Sequence, residues 1–142
     1  MQWTLDTCVL YRAKDDLDAM DLLLRVRRNR DKVCLDHEGC IKRQYENCLR
    51  GPRSELLRKW FKVVVDKLAI FRSGKLDRRH GQALDGLEFD RDDWPFVAVC
   101  GRTESRKLVS EDSDYSAQVT DYLAQAMGIS VLAVEDAVKL CD

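Results

Sequence analysis

Six cysteines, Cys8, Cys34, Cys40, Cys48, Cys100 and Cys141, are scattered along the chain without one CxxC pair, and only His37 and His80 could join them as soft ligands. A structural zinc centre needs four such donors at close spacing, and this distribution argues against one. The sequence also lacks any apolar run approaching the roughly 20 residues of a membrane-crossing helix. Its first residues interrupt the apolar positions with Asp6, Arg12 and Lys14, where a secretory leader would stay apolar. There is no internal repeat and no low-complexity segment. These absences lead to the expectation of a cytoplasmic protein with reduced, mostly buried thiols and no membrane attachment.

Net charge is scarce as well, since 24 basic and 25 acidic side chains leave −1. The balance hides segregation. Residues 1–24 hold two basic and five acidic side chains, residues 25–80 seventeen and seven, and residues 81–142 five and thirteen, giving −3, +10 and −8. A basic middle beside acidic ends suits an anionic partner held next to a cation site. At 142 residues the chain has the size of one domain, expected over 1–142, and can bury a core without disulfide staples.

What is present alternates between short β-capable runs and helical apolar spacing. Residues 2–6 and 32–36 read as strands, and the apolar positions of residues 17–26 read as a helix whose basic end, Arg25 to Arg30, suits a helix C-terminus. A further helix is expected from Gly39 through Leu49. Ser54 caps a longer one whose face, Leu56, Leu57, Trp60, Phe61, Val64, Val65, Leu68 and Phe71, runs to residue 71. Residues 72–89, with Gly74, Gly81 and Gly86, read as a loop or short excursion. A helix from about Asp93, a strand at 107–110, a helix at 115–127, a strand at 129–134 and a helix from Glu135 complete the chain. Strands separated by helices imply an α/β fold with a parallel sheet, whose ligand site lies beyond the carboxyl ends of the strands.

Carboxylates collect at those ends: Asp6, Asp36, Asp112 and Asp114 after strands, with Asp90-Arg91-Asp92-Asp93 before the apolar run Pro95 to Cys100. Asp6, Asp93 and Asp112 each precede a predicted helix, where aspartate is a favoured cap contributing about 1 kcal/mol. Capping accounts for any one of them. Brought together, the acids would repel by roughly 4 kcal/mol per pair at about 4 Å and an effective dielectric near 20, so the set calls for a cation. A hard divalent ion with oxygen ligands, Mg²⁺ or Mn²⁺, activating water against a phosphodiester is the chemistry that fits.

The segments Leu5-Asp6-Thr7-Cys8-Val9-Leu10, Asp90-Arg91-Asp92-Asp93-Trp94-Pro95-Phe96-Val97 and Leu108-Val109-Ser110-Glu111-Asp112-Ser113-Asp114-Tyr115 resemble, in order and at about the right spacing, the three acidic motifs of PIN-domain proteins. The resemblance implies a three-layer sandwich with a small parallel sheet flanked by helices. It also implies Mg²⁺ or Mn²⁺ at clustered acids and endoribonuclease activity, as in many toxin and RNA-processing members. Carried over by position, Asp6, Asp93 and Asp112 are the principal ligands and catalytic acids, Asp114 is an auxiliary ligand or water orienter, and Asp90 ranks lower. One position departs from the pattern. Where the family usually has a glutamate, the best register puts Gln44, and Glu46 could take the place only in a shifted register. Glutamine offers a carbonyl but no charge.

Arg72, Lys75, Arg78 and Arg79, just ahead of the central acidic motif, are the candidate nucleic-acid contacts, with RNA favoured and DNA as the alternative. Arg25, Arg27, Arg28, Arg30 and Lys32 could also touch phosphates, or form a solvated helix end. His37 is a candidate acid, and Ser110 and Ser113 candidate water orienters beside their ordinary role in a turn. A homodimer through residues 22–26 or 60–71, an antitoxin or another protein partner, and a binding module without catalysis are the remaining expectations.

Overall fold

The computed structural model of the chain describes residues 1–141. In order they form β1 (Gln2–Leu5), α1 (Thr7–Ala13), α2 (Leu17–Arg28), β2 (Lys32–Asp36), α3 (Cys40–Leu49), α4 (Glu55–Val63), a π-helical stretch (Val64–Leu68), β3 (Ala69–Arg72) and α5 (Arg78–Gly86). A 3-10 turn (Arg91–Asp93), α6 (Trp94–Gly101), β4 (Lys107–Val109), α7 (Ala117–Met127), β5 (Ser130–Leu132) and α8 (Val134–Leu140) follow. The strands make one sheet in the order β3-β2-β1-β4-β5, and every neighbouring pair is parallel. Chain order reverses direction between β1 and β4, the position where open parallel sheets bind ligands.

Helices flank the sheet, giving the expected three-layer α/β architecture. A parallel sheet covered on both faces must be apolar on both, and Trp3, Leu5, Val33, Cys34, Leu35, Leu108 and Val109 are fully buried. Helix α6 follows the same rule. Phe96 to Cys100 are all buried, and a helix apolar all round belongs inside. Two buried polar tips fasten the layers: the Trp60 indole N–H donates to the Leu23 carbonyl at 2.8 Å, and the Tyr45 hydroxyl donates to the Leu5 carbonyl. The second bond ties α3 to the last residue of β1.

Two expectations are corrected. The apolar spacing of residues 54–71 predicts a single helix, but the α-helix stops at Val63. The π turn that follows keeps Val64 and Leu68 buried, and the chain then extends so that Ala69 to Arg72 pair with Val33 to Asp36. The exposed edge of β2 needs backbone partners, and that demand outweighs helical continuity. Residues 72–89, expected to be irregular, contain α5. Its N-cap Asp77 accepts from the His80 amide at 2.9 Å, Leu84 is fully buried, and a Cβ at Gly81 would lie 3.3 Å from the Trp94 ring. Smaller shifts occur at α7, which begins after its Ser116 cap rather than at Tyr115, and at α8, which begins at Val134. Among the described residues no helix is long and apolar enough to cross a membrane.

Candidate functional site

Because Leu5 lies opposite Val109 in the sheet, the residues one step further, Asp6 and Ser110, meet at the carboxyl rim. Asp6 is 3% exposed and holds one oxygen on the amide of Thr7 at 2.8 Å, which caps α1. Its other oxygen accepts from the Ser110 hydroxyl at 2.7 Å and from the Cys8 thiol at 3.3 Å. The Ser110 oxygen accepts in turn from the amide of Asp112 at 3.1 Å. Ser110 therefore couples Asp6 to the acidic turn, whose Asp112 carboxylate accepts from the Asp114 amide at 2.9 Å. Burial pushes the Asp6 carboxyl above its usual range against the pull of these donors, and Asp112 adds to the rise.

Asp93 enters the same cleft from the end of the 3-10 turn. It makes no side-chain cap bond to α6, and its carboxyl is pushed up to about 8 by burial, by the charge of Asp6, and by a hydrogen bond with Asp114 beside Asp112. Asp93 therefore favours its neutral, protonated form, which relieves the repulsion among acids that could not otherwise all ionise. Helix capping accounts for Asp6 in part and for neither of the other two. Asp112 stands well ahead of α7, whose cap is Ser116.

A cleft of about 300 Å³ is lined by Asp6, Thr7, Cys8, Tyr11, Gln44, Asn47, Asp93 and Asp112. The structure therefore gathers the three principal predicted acids around one space, with the auxiliary Asp114 bonded to Asp112. It also decides the register of α3. Gln44 faces the cleft, its carbonyl accepting from the Thr7 hydroxyl at 3.0 Å and its amide donating to the Asp92 carbonyl at 3.0 Å. Glu46 is exposed and does not line the cleft, so it cannot replace Gln44 there. Asn47, Thr7, Cys8 and Tyr11 carry no signal of their own in the sequence, and only the packing of α1 against α3 reveals them.

Other candidates lie elsewhere. Asp36 is spent as a cap, its two oxygens accepting from the amides of Cys40 at 2.9 Å and Ile41 at 2.8 Å. Asp90 is exposed and accepts from the Asp92 amide at 2.9 Å. Arg72 gives its guanidinium to the carbonyls of Phe71 and Arg102. None of Arg72, Lys75, Arg78 and Arg79 lines the cleft. The cations that border it are Arg43 and Arg91, in an adjoining cavity of about 490 Å³ that shares Gln44 and Asn47 with it. Arg91 is paired with Asp85 at 2.8 Å. His37 stacks against Phe71 with ring centroids 6.2 Å apart.

The donor set is hard: carboxylates, an amide carbonyl and hydroxyls, with the Cys8 thiol pushed up to about 12 by burial and Asp6 and so kept protonated. Among the described residues no three His, Cys, Asp or Glu side chains close into a ready cage. Mg²⁺ keeps several waters and needs only one or two direct carboxylates, so an open cleft of this chemistry fits such an ion.

An all-parallel sheet in this order, with acids at its switch point, defines a PIN-like α/β fold. A solved structure, VapBC2 from Rickettsia felis bound to a DNA fragment from their promoter, matches it with a TM-score of 0.57 over 94% of this chain and 98% of that one, at 10% sequence identity. The likeness is one of fold. No family model matches the chain, and no curated protein sequence matches it significantly.

Proposed function

We propose that the chain is a divalent-metal-dependent endonuclease hydrolysing phosphodiester bonds, with RNA as its substrate. The observation that carries this reading is the convergence of Asp6, Asp93 and Asp112, from three distant segments, on one cleft at the switch point. Asp6, Asp93 and Asp112 would hold Mg²⁺ or Mn²⁺, with Asp114 as an auxiliary. When bound, the ion supplies an acidified water and neutralises charge on the scissile phosphate. The chain's own groups do the positioning: Ser110 fixes the Asp6 carboxylate, the Asp114 amide holds the Asp112 carboxylate, and Gln44 holds the Asp92–Asp93 turn against α1. Arg43 and Arg91 border the entrance and would steer the phosphate backbone.

The Rickettsia felis structure is of VapBC2 bound to a DNA fragment from their promoter. With the fold in common, we extend to this chain a toxin role in the cytoplasm, an antitoxin-like protein partner and a homodimer. The test is incubation with RNA, single-stranded DNA and duplex DNA in Mg²⁺ or Mn²⁺. Wild type should cut RNA, and Asp93→Asn and Asp112→Asn should lose at least 100-fold in rate. Intact substrates with wild-type protein that still binds RNA would sink the proposal.

A second reading is favoured by Gln44, which stands where the resembling family has an acid and whose amide is occupied at both ends. On that reading the chain is a PIN-fold binding or assembly module without catalysis. Calorimetry separates the two, since a module need not take up Mn²⁺, whereas the nuclease must bind it and lose binding in Asp112→Asn.

A further inference from the structure

On the rim opposite the acidic cleft, Arg27 and Arg30 from the end of α2, Lys32 at the start of β2 and Lys67 from the π turn surround a second cavity of about 460 Å³, whose remaining lining is Val63 and Leu68. Lys32 opens the strand that Asp36 closes, so this cavity and the acids are separated by a strand length, about 13 Å at roughly 3.3 Å per residue. No carboxylate lines it.

The cations are not absorbed by the fold. Several other arginines are paired: Arg12 with three acids, Arg53 with Asp15 and Arg91 with Asp85. Among the described residues Arg27, Arg30 and Lys67 make no ion pair, and the Lys32 ammonium reaches only the Lys67 carbonyl at 3.5 Å. Of the acids next to these cations in the chain, Asp66 does not line the cavity, and Asp31, between Arg30 and Lys32, has one oxygen on the N-terminal amine at 3.2 Å and the other on the Trp3 indole at 2.9 Å. Four like charges gathered without a counter-charge raise the energy of the folded state. The backbone that gathers them is itself unusual. Arg30 has a positive φ of 57°, rare for a residue with a side chain, and Lys67 stands on a π turn, a form that recurs at functional sites.

From this we infer that the cavity is an anchoring site for the phosphodiester backbone of a nucleic acid, distinct from the cleft where the acids meet. Two guanidinium forks and two ammonium groups match phosphate oxygens. Of the lining only Val63 and Leu68 are apolar and the other four side chains are cations, which favours a phosphate backbone, with a charge on every repeat, over an acidic protein segment. The site does not depend on the nuclease reading, because a chain that bound RNA without cutting it would use the same cations.

The experiment is fluorescence anisotropy with a labelled single-stranded RNA in EDTA, repeated over a series of salt concentrations. The double variant Arg27→Gln/Lys67→Gln should bind about tenfold more weakly or worse, and its log Kd against log[salt] should flatten by about 1.4, two phosphate contacts at about 0.7 each. Arg30→Asn, a residue type that tolerates a left-handed backbone, should weaken binding on its own while leaving the melting curve in place. Lys59→Gln/Lys139→Gln, equal in charge but outside the cavity, should bind as wild type. The proposal is overturned if the cavity variants keep the wild-type affinity and slope, or if the control pair loses as much. It is equally overturned if polyglutamate or inorganic phosphate, at matched charge, displaces the RNA as well as an unlabelled oligonucleotide does.

Discussion

Asp93 is the residue on which most depends. In the folded chain its carboxyl holds a proton to about pH 8, whereas an unfolded chain releases it near the ordinary aspartate value of about 3.9. Between those limits the folded state binds more protons, so its stability falls as pH rises, and the loss is complete above about pH 8. The raised Asp6 carboxyl works in the same direction. Thermal melts in EDTA should therefore show a falling Tm from pH 5 to 8. Asp93→Asn should flatten that fall, and an equally steep fall in the variant would refute the assignment. Gln44→Glu tests the vacant charge beside it. It removes the donor to the Asp92 carbonyl and adds a fourth acid, so the metal-free melt should drop, while calorimetric Mn²⁺ affinity should rise about tenfold, equivalent to about 1.4 kcal/mol. At this scale the sequence was informative for Asp6, Asp93 and Asp112, because acids beside a strand end or ahead of an apolar run stand out in a one-dimensional pattern. It could not separate them from Asp36, which has the same setting. The difference is made by the short Gly39 turn that swings the α3 amides onto the Asp36 carboxylate.

Helices and strands divide along a similar line. β1, β2, β4 and α6 were legible because full burial makes their apolar runs continuous, and α3 because its periodicity is clean. β3 was hidden, since Val64, Leu68 and Phe71 continue the spacing of α4, and only the need of β2 for a neighbour shows that the helix must end. α5 was hidden by its glycines and by a core contribution concentrated in Leu84 and Gly81. The cap of α3 supplies the check at this scale. Asp36→Ala leaves the amides of Cys40 and Ile41 without partners, and urea unfolding should show a loss of about 2 kcal/mol. Mn²⁺ binding should be unchanged. A matching loss of metal affinity would mean that Asp36 belongs to the site after all.

For the molecule as a whole, acids gather on the carboxyl rim of the sheet with Arg43 and Arg91 beside them, and four unpaired cations gather around the cavity on the opposite rim. Arg12 is the main bridge within the acidic pole, joining Asp16, Glu111 and Glu135 and so binding α1 to the turn after β4 and to the start of α8. Removing it leaves those carboxylates facing one another. In Arg12→Ala, amide hydrogen exchange should accelerate across residues 111–115 while β1 and β2 stay protected. Unchanged exchange in that turn would show that the turn is held by Ser110 alone.

The bond between Asp6 and Ser110 spans 104 residues of chain. Contacts of such separation form late, after the intervening loop entropy has been overcome, and the N-terminal part of a chain leaves the ribosome first. Once made, Asp6 must wait for a further 104 residues to be synthesised before Ser110 exists. Whatever the acidic cleft does, no chain that stops short of Asp112 can do it.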